Sequence, residues 1–291
     1  MDYLILRMFC SFIAGVILSQ TGSLLQLSSR NLLASPSTLG MDGIAILWVL
    51  VFHGILVYGG IPFSYSVFMI LGSLCFLLMG FIYSRFWNPK AQFERIILLG
   101  VTFNLFVGAI FSLCQFLFMA FNLPFPMELW FGHFRLANIS NLTVILVWEI
   151  LFLTSFLFFR NELRLFSLGT SIYKNWNLKF QRLSLFIFLA VATGTFVVVS
   201  NFGAFSFLAL VFPIIGRKIF FKKFDLSGEF LLGSLLNGFV FMALDYFCYE
   251  YPVLGAEIPV GLIVTAVGAV SLIVILWKQK SEVSFLAKSQ K

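Results

Sequence analysis

Charge is what this chain has least of. Asp, Glu, Lys and Arg make up 11% of its 291 residues, while 60% are hydrophobic and the mean hydropathy is +1.01. So few charges cannot cover a soluble surface of that size, which excludes a water-soluble domain and makes a lipid bilayer the solvent. Histidine is nearly missing as well. His53 and His133 lie in different segments without carboxylates at ligand spacing, so each reads as a packing or rim residue or, alternatively, as an isolated ligand or base. The four cysteines, Cys10, Cys75, Cys114 and Cys248, form no C-x-x-C pair and read as small apolar fillers. No phosphate-binding Walker loop, nucleophile elbow, zinc-type His-Glu pattern or calcium loop occurs. These absences argue against an enzyme, a resident metal and a cofactor, and they assign any ATP-driven work to a separate chain. Linkers, low-complexity tracts and repeats are missing too, so residues 1–291 are expected to form one membrane domain.

What the chain does have is long apolar runs. Nine stretches are candidate membrane-spanning helices: about 4–27, 39–58, 64–84, 96–121, 141–159, 183–201, 204–221, 229–247 and 258–277. Basic residues fall in alternate gaps. Arg30 comes first, then Arg85, Lys90 and Arg95, then Arg160 to Arg182, then Arg217 to Lys223, and last the tail from Lys278 to Lys291. All but two of the 19 cations, Arg7 and Arg135, thus belong to one face, which the positive-inside rule makes cytoplasmic. The net charge of +7 therefore reports topology and contact with anionic lipid, not nucleic acid. Tyr3, Tyr58, Tyr65 and Trp130 on one side, and Tyr83, Trp87 and Trp277 on the other, suit aromatic belts.

Charge parity forces one irregularity. The run from 204 to Arg217 is too short to face lipid and contains Pro213, yet both its flanks must be cytoplasmic, so a short broken helix sheltered by other helices is expected. Nine spans with an inner C-terminus put the N-terminus outside, as though a leading helix were missing. Glu149 sits inside span 141–159, and Asp245 near the outer end of span 229–247. They read either as polar interhelical contacts or as parts of a proton relay.

Two segments have the composition of packed corners. Gly22-Ser-Leu-Leu-Gln26 followed by Arg30-Asn-Leu-Leu-Ala-Ser-Pro-Ser-Thr-Leu-Gly40 places Gln26, Arg30, Asn31, Pro36 and Gly40 at a cytoplasmic turn, where Ser37 or Thr38 can cap the next helix. Glu257-Ile-Pro-Val-Gly-Leu-Ile-Val-Thr-Ala-Val-Gly268 opens the last span. Pro259 suits its first turn, Glu257 complements the helix N-terminus, and Gly261, Thr265 and Gly268 give a small face. With these stand Arg95-Ile-Ile-Leu-Leu-Gly-Val, Trp130-Phe-Gly, Leu165-Phe-Ser-Leu-Gly169, the run from Gly203 to Pro213 with Arg217, and Asp245 before the final motif.

In this order the segments resemble, almost end to end, the FecCD/BtuC-type permease subunits of iron–siderophore, haem and vitamin B12 importers, the type II ABC importers. The resemblance implies an all-α fold of ten helices, here lacking the first. It also departs in places: Thr170 follows Gly169 where the family has Glu, Trp176-Asn177 replaces a second Leu-Gly, Ile214 follows Pro213 in place of His, Leu32 replaces a Pro, and Tyr249 stands where an outer Arg is expected. These changes bear on coupling to the ATPase rather than on the fold.

The resemblance implies two permeases side by side, identical or different, over an ABC ATPase dimer and beneath a periplasmic or lipid-anchored binding protein. Leu168, Gly169, Thr170 and Trp176 are the candidate ATPase-coupling residues; the alternative is a loop held by lipid headgroups. Arg7 and Arg135 are candidate docking cations for the binding protein, Arg7 by the family position and Arg135 from its outer placement, against an ordinary interfacial role. Phe93 and Glu94 fall at the family's cytoplasmic gate, and Asn104 and Gln115 are candidate path-lining amides or helix-packing ones. The expected function is import of iron chelates or a related large metal complex. An ion-coupled secondary transporter and a non-transporting scaffold are the competing readings.

Overall fold

A computed structural model describes residues 3–29, 31–58, 64–86, 93–122, 128–168, 180–205, 207–220, 226–253 and 255–289. Its helices are α1 (Tyr3–Ser29), α2 (Met41–Tyr58), α3 (Tyr65–Phe86), α4 (Phe93–Ala120), the short α5 (Glu128–Phe131), α6 (Ile139–Leu168), α7 (Phe180–Phe202), α8 (Leu208–Phe220), α9 (Leu226–Glu250) and α10 (Val260–Ser289). A 3-10 turn, Ser37–Leu39, precedes α2. No strand occurs among the described residues beyond one isolated bridge, Val253 with Ala256. Among the described residues six helices, α1, α3, α4, α6, α7 and α9, are long and apolar enough to cross a membrane, and α2, α8 and α10 contain shorter apolar stretches. These nine occupy the nine segments expected. In lipid a helix satisfies its own backbone groups, which is why the apolar runs fold this way.

The helices are not equivalent. In the most apolar window of α1, 72% of residues are buried within the protein, and in α7 78%, against 11% in α4. So α1 and α7 form the centre and α4 faces outward. Small residues admit α1 to that position, since without a hydrophobic drive in lipid close packing is what holds helices together. At the crossing with α9, a Cβ on Gly15 would lie 2.9 Å from Phe241 Cβ, and one on Gly238 would lie 2.8 Å from the Phe12 carbonyl oxygen. One turn deeper, Asn237 Nδ2 donates to Ser19 Oγ at 2.7 Å.

The expected short helix is present, and it runs unbroken through Pro213. α8 has 13 residues with Pro213 inside it, and the chain reverses into it through Gly203 (φ 85°) and Phe207 (φ 67°). It packs against α1, α9 and α10, which supply the shelter its short length demands. Its tie to α1 is specific. Gln26 Nε2 donates to the Leu210 carbonyl (2.8 Å) and the Leu32 carbonyl (3.0 Å), and Arg217 donates to Gln26 Oε1 (3.2 Å). Gln26 is itself buried, so these bonds satisfy its amide across the contact between the two helices. Gln26→Ala is therefore expected to cost about 1–3 kcal/mol by removing partners from buried polar groups. A lowered melting temperature of the detergent-solubilised protein would register it.

The corner between α1 and α2 corrects one detail. Ser37 and Thr38 lie inside the 3-10 turn, whose N-cap position is Pro36, and the Thr38 N–H donates to Ser35 Oγ at 3.2 Å. Pro36 starts the turn and Gly40 closes it at φ 78°. Asn31 Oδ1 accepts from the Leu33 N–H (2.8 Å), which bends the chain out of α1. Arg30 lies outside the described residues.

Candidate translocation groove and the clasps around it

Three polar constructions emerge from the apolar bundle. The first is at the outer end of α1. Arg7 gives Nε to Asp245 Oδ2 (2.9 Å) and Nη2 to Asp245 Oδ1 (2.8 Å), the fork geometry of a bidentate pair, and Nη1 to Glu257 Oε2 (2.7 Å). The Tyr249 ring lies 5.1 Å from the guanidinium carbon. Arg7 and Asp245 are 2% and 1% exposed, while Glu257 is 31% exposed. One guanidinium thus joins α1, α9 and the entry to α10. The expectation of an outward-facing docking cation at Arg7 is corrected: its side chain is enclosed, because two carboxylates from other helices converge on it. Arg135 is exposed, and its carbonyl accepts from the Tyr3 hydroxyl at 2.7 Å, which sets it beside the outer end of α1.

The second construction is a knot of loops. The Gly132 carbonyl accepts from the Gly261 N–H (3.2 Å), and the Phe202 carbonyl accepts from the His133 N–H (2.8 Å). Gly132 has φ 58°. A Cβ on Gly261 would fall 1.7 Å from the Phe131 carbonyl oxygen, so the Trp130-Phe-Gly turn lies directly on the first turn of α10. Pro259 immediately precedes that helix, and further along it Gly268 faces Phe207, whose Cβ is 2.6 Å from where a Gly268 Cβ would stand.

The third is a groove of about 630 Å³ along α4, lined by Asn104, Leu105, Gly108, Phe111, Ser112, Gln115, Trp130 and Phe131. Asn104, Gly108, Ser112 and Gln115 follow one another at four, four and three residues, the spacing of a single helix face. Asn104 and Gln115, singled out from sequence, therefore share one cavity. Asn104 Nδ2 also donates to the Ser37 carbonyl, and the Tyr83 hydroxyl donates to the Leu39 carbonyl (2.8 Å), so the cytoplasmic corner is pinned to the groove's helix and to α3. Gly100 completes the contact, where a Cβ would meet the Thr38 carbonyl oxygen at 2.2 Å. The other α4 wall residues, Leu105, Gly108, Phe111 and Ser112, escaped the sequence reading. The four-residue recurrence of small and polar side chains in an apolar helix was the available signal.

These residues belong to a known type of protein. The FecCD transport family matches the chain over residues 1–278. The chain belongs to that family. Similar proteins include the iron(3+)-hydroxamate import system permease protein FhuG of Bacillus subtilis, 25% identical over 94% of this chain and 81% of that one. The petrobactin import system permease protein FatD of Bacillus anthracis is 26% identical over 94% and 80%. The ferric enterobactin transport system permease protein FepG of Escherichia coli is 23% identical over 93% and 79%. Among solved structures, an inward-facing conformation of a metal-chelate type ABC transporter superposes with a TM-score of 0.74 at 20% identity, over 94% of this chain and 85% of that one. At that identity the likeness concerns the fold. A FecCD protein with these helices is a multi-pass permease subunit of the ABC-importer class in the bacterial cytoplasmic membrane, and the family match weighs against both the secondary transporter and the scaffold.

Several positions of functional interest fall elsewhere. Phe93 and Glu94 open α4, but their side chains lie outside the described ones, as does that of Leu168 at the end of α6. Gly169, Thr170 and Trp176 are outside the described residues altogether. Glu149 and Asp245 are not brought together. Asp245 is held by Arg7, and Glu149 Oε1 accepts from Gln20 Nε2 at 2.9 Å. Each thus has its own partner in a different part of the bundle, the arrangement of interhelical contacts rather than of a relay. Among the described residues no group of His, Cys, Asp and Glu could hold a metal.

Proposed function

We propose that residues 1–291 form one permease domain of an importer for iron chelates, in which two permeases, identical or different, stand side by side and the groove along α4 lines the path. The observation that supports this most is the groove itself. Its polar and small residues share one face of the most outward-facing long helix, and its volume is in the range of small-molecule sites. The iron-chelate cargo is carried over from the names of FhuG, FatD and FepG. ATP hydrolysis belongs to a separate ATPase pair that meets the inner loop at Leu168, Gly169, Thr170 and Trp176, while Phe93 and Glu94 form the inner gate. A binding protein approaches the outer face, where Arg135 and the exposed part of Glu257 are the charges offered to it. Exposed pairs contribute about 0–1 kcal/mol each, so they orient more than they bind. ATP binding below rocks the two permeases between outward and inward states.

The test is reconstitution in proteoliposomes with the cognate ATPase and binding protein. Ferric-chelate uptake is expected to require ATP and to persist when ion gradients are collapsed. Glu149→Gln, which keeps an oxygen for the Gln20 amide, is expected to transport at the unaltered rate. Uptake driven by a proton gradient without the ATPase, and lost in Glu149→Gln, would overturn this reading in favour of a secondary transporter.

A further inference from the structure

The groove's polar floor is partly in use. Asn104 donates an amide N–H to the Ser37 carbonyl and the Ser112 hydroxyl donates to the Gly108 carbonyl (2.9 Å), which spends part of the floor's donor capacity within the protein. Beside these polar groups a ligand would meet rings. Phe111 and Trp130 stand together at one end with centroids 4.7 Å apart and planes at 36°. The indole overhangs Gly108, where a Cβ would come no closer than 3.5 Å to Trp130 Cη2. Phe111 is 6% exposed and fixes the indole from the side of α4, while Trp130 and Phe131 are half-buried in the groove.

The indole is also held from behind. Its neighbour Phe131 presses its carbonyl on Gly261, and the Gly132 carbonyl accepts the Gly261 N–H, so the ring's position is set by the first turn of α10. α4 and α10 are separate elements, and Trp130 is the side chain that spans from the α10 knot to the α4 groove. A displacement of α10 would therefore carry the ring across the groove.

We propose that Trp130, backed by Phe111, is a specificity-determining residue for the cargo: its ring face selects chelates whose organic shell presents a flat or methylene-rich apolar surface. This rests on the reading of the groove as the path. Aromatic faces favour apolar and cationic contacts and offer no acceptor to replace water lost from a hydroxyl-rich shell, so a polar shell passes at a disadvantage.

The experiment uses the reconstituted transporter and two ferric trihydroxamates of equal charge, one with an alkyl periphery and one with a hydroxyl-rich periphery. Uptake and ATP hydrolysis are measured separately. Trp130→Ala is expected to reduce the preference for the alkyl chelate roughly tenfold, with Trp130→Phe retaining most of it, in the range that small changes in apolar contact produce. Gly108→Ala, which leaves both rings in place and meets no clash, is expected to slow the bulkier of two alkyl chelates selectively. An equal fall for both chelates in Trp130→Ala, with Trp130→Phe no better and Gly108→Ala without size dependence, would overturn the assignment and leave the ring as packing. If the unaltered transporter moves neither chelate, the path reading fails first and takes this one with it.

Discussion

Asp245→Ala is expected to destabilise the protein by about 3 kcal/mol, the lower end for breaking a buried pair, because it takes the acceptors from two enclosed Arg7 N–H groups and leaves Glu257 to meet the guanidinium. Arg7 is 2% exposed and Asp245 1%, and Arg7 donates paired hydrogen bonds to Asp245 at 2.8 and 2.9 Å. Removing one member of such a pair does not subtract a modest attraction; it leaves buried donors unmet, and that desolvation cost sets the magnitude. Glu257→Gln should cost far less. It is 31% exposed, the Asp245 pair persists, and the amide oxygen still accepts from Nη1. The measurement is thermal unfolding in detergent, with the double variant Arg7→Leu plus Asp245→Leu as control. Two apolar groups of similar volume should recover much of the stability lost in the single variant. If Asp245→Ala melts like the unaltered protein, the clasp does not hold α1, α9 and α10 together.

The clasp also shows how much of the protein could be read in advance. Helix positions were legible because lipid imposes one rule on every span: backbone groups are satisfied within the helix, so apolar length alone locates it. The short span through Pro213 was legible for a different reason, the parity of cationic loops. Partners across the bundle were not legible. Arg7 lies 238 residues from Asp245 and 250 from Glu257, and nothing local in the sequence indicates that three helix ends converge. Its enclosure was therefore not apparent from the family position on which its docking role rested. Gln26 posed the same difficulty, since its bonds to Leu210 and Arg217 reach across to a short helix whose path had to be known first. The groove was intermediate. Asn104 and Gln115 share a helix face by spacing, but the ring that overhangs it arrives on a separate loop, so Trp130 could be recognised as part of a motif and not as part of a wall.

Adding one methyl group at Gly22 or Gly261 should be about as damaging as breaking the clasp. Within a helix, Gly→Ala ordinarily stabilises by about 1 kcal/mol through backbone entropy and propensity. Here sterics oppose it. A Cβ on Gly22 would lie 1.8 Å from the Ala209 carbonyl oxygen, and one on Gly261 1.7 Å from that of Phe131. Both obstacles are backbone, so no rotamer change relieves them, and a helix or loop must move. Overpacking of well-fitted cores costs about 1–3 kcal/mol even where side chains can adjust, so these substitutions are expected at or above the top of that range. The two should differ in what else they disturb. Gly22→Ala pushes α8 from α1 at the level of Pro213, loosening the Gln26 bridge, and should lower the melting temperature together with assembly. Gly261→Ala pushes the Trp130-Phe-Gly turn off α10 and breaks its Gly132 hydrogen bond, so the fraction that still folds should also show an altered indole environment. Tryptophan fluorescence compared between Gly261→Ala and the double variant Gly261→Ala plus Trp130→Phe isolates that signal. An unchanged melting temperature in both glycine variants would mean that these helices do not approach as closely as their backbones are placed.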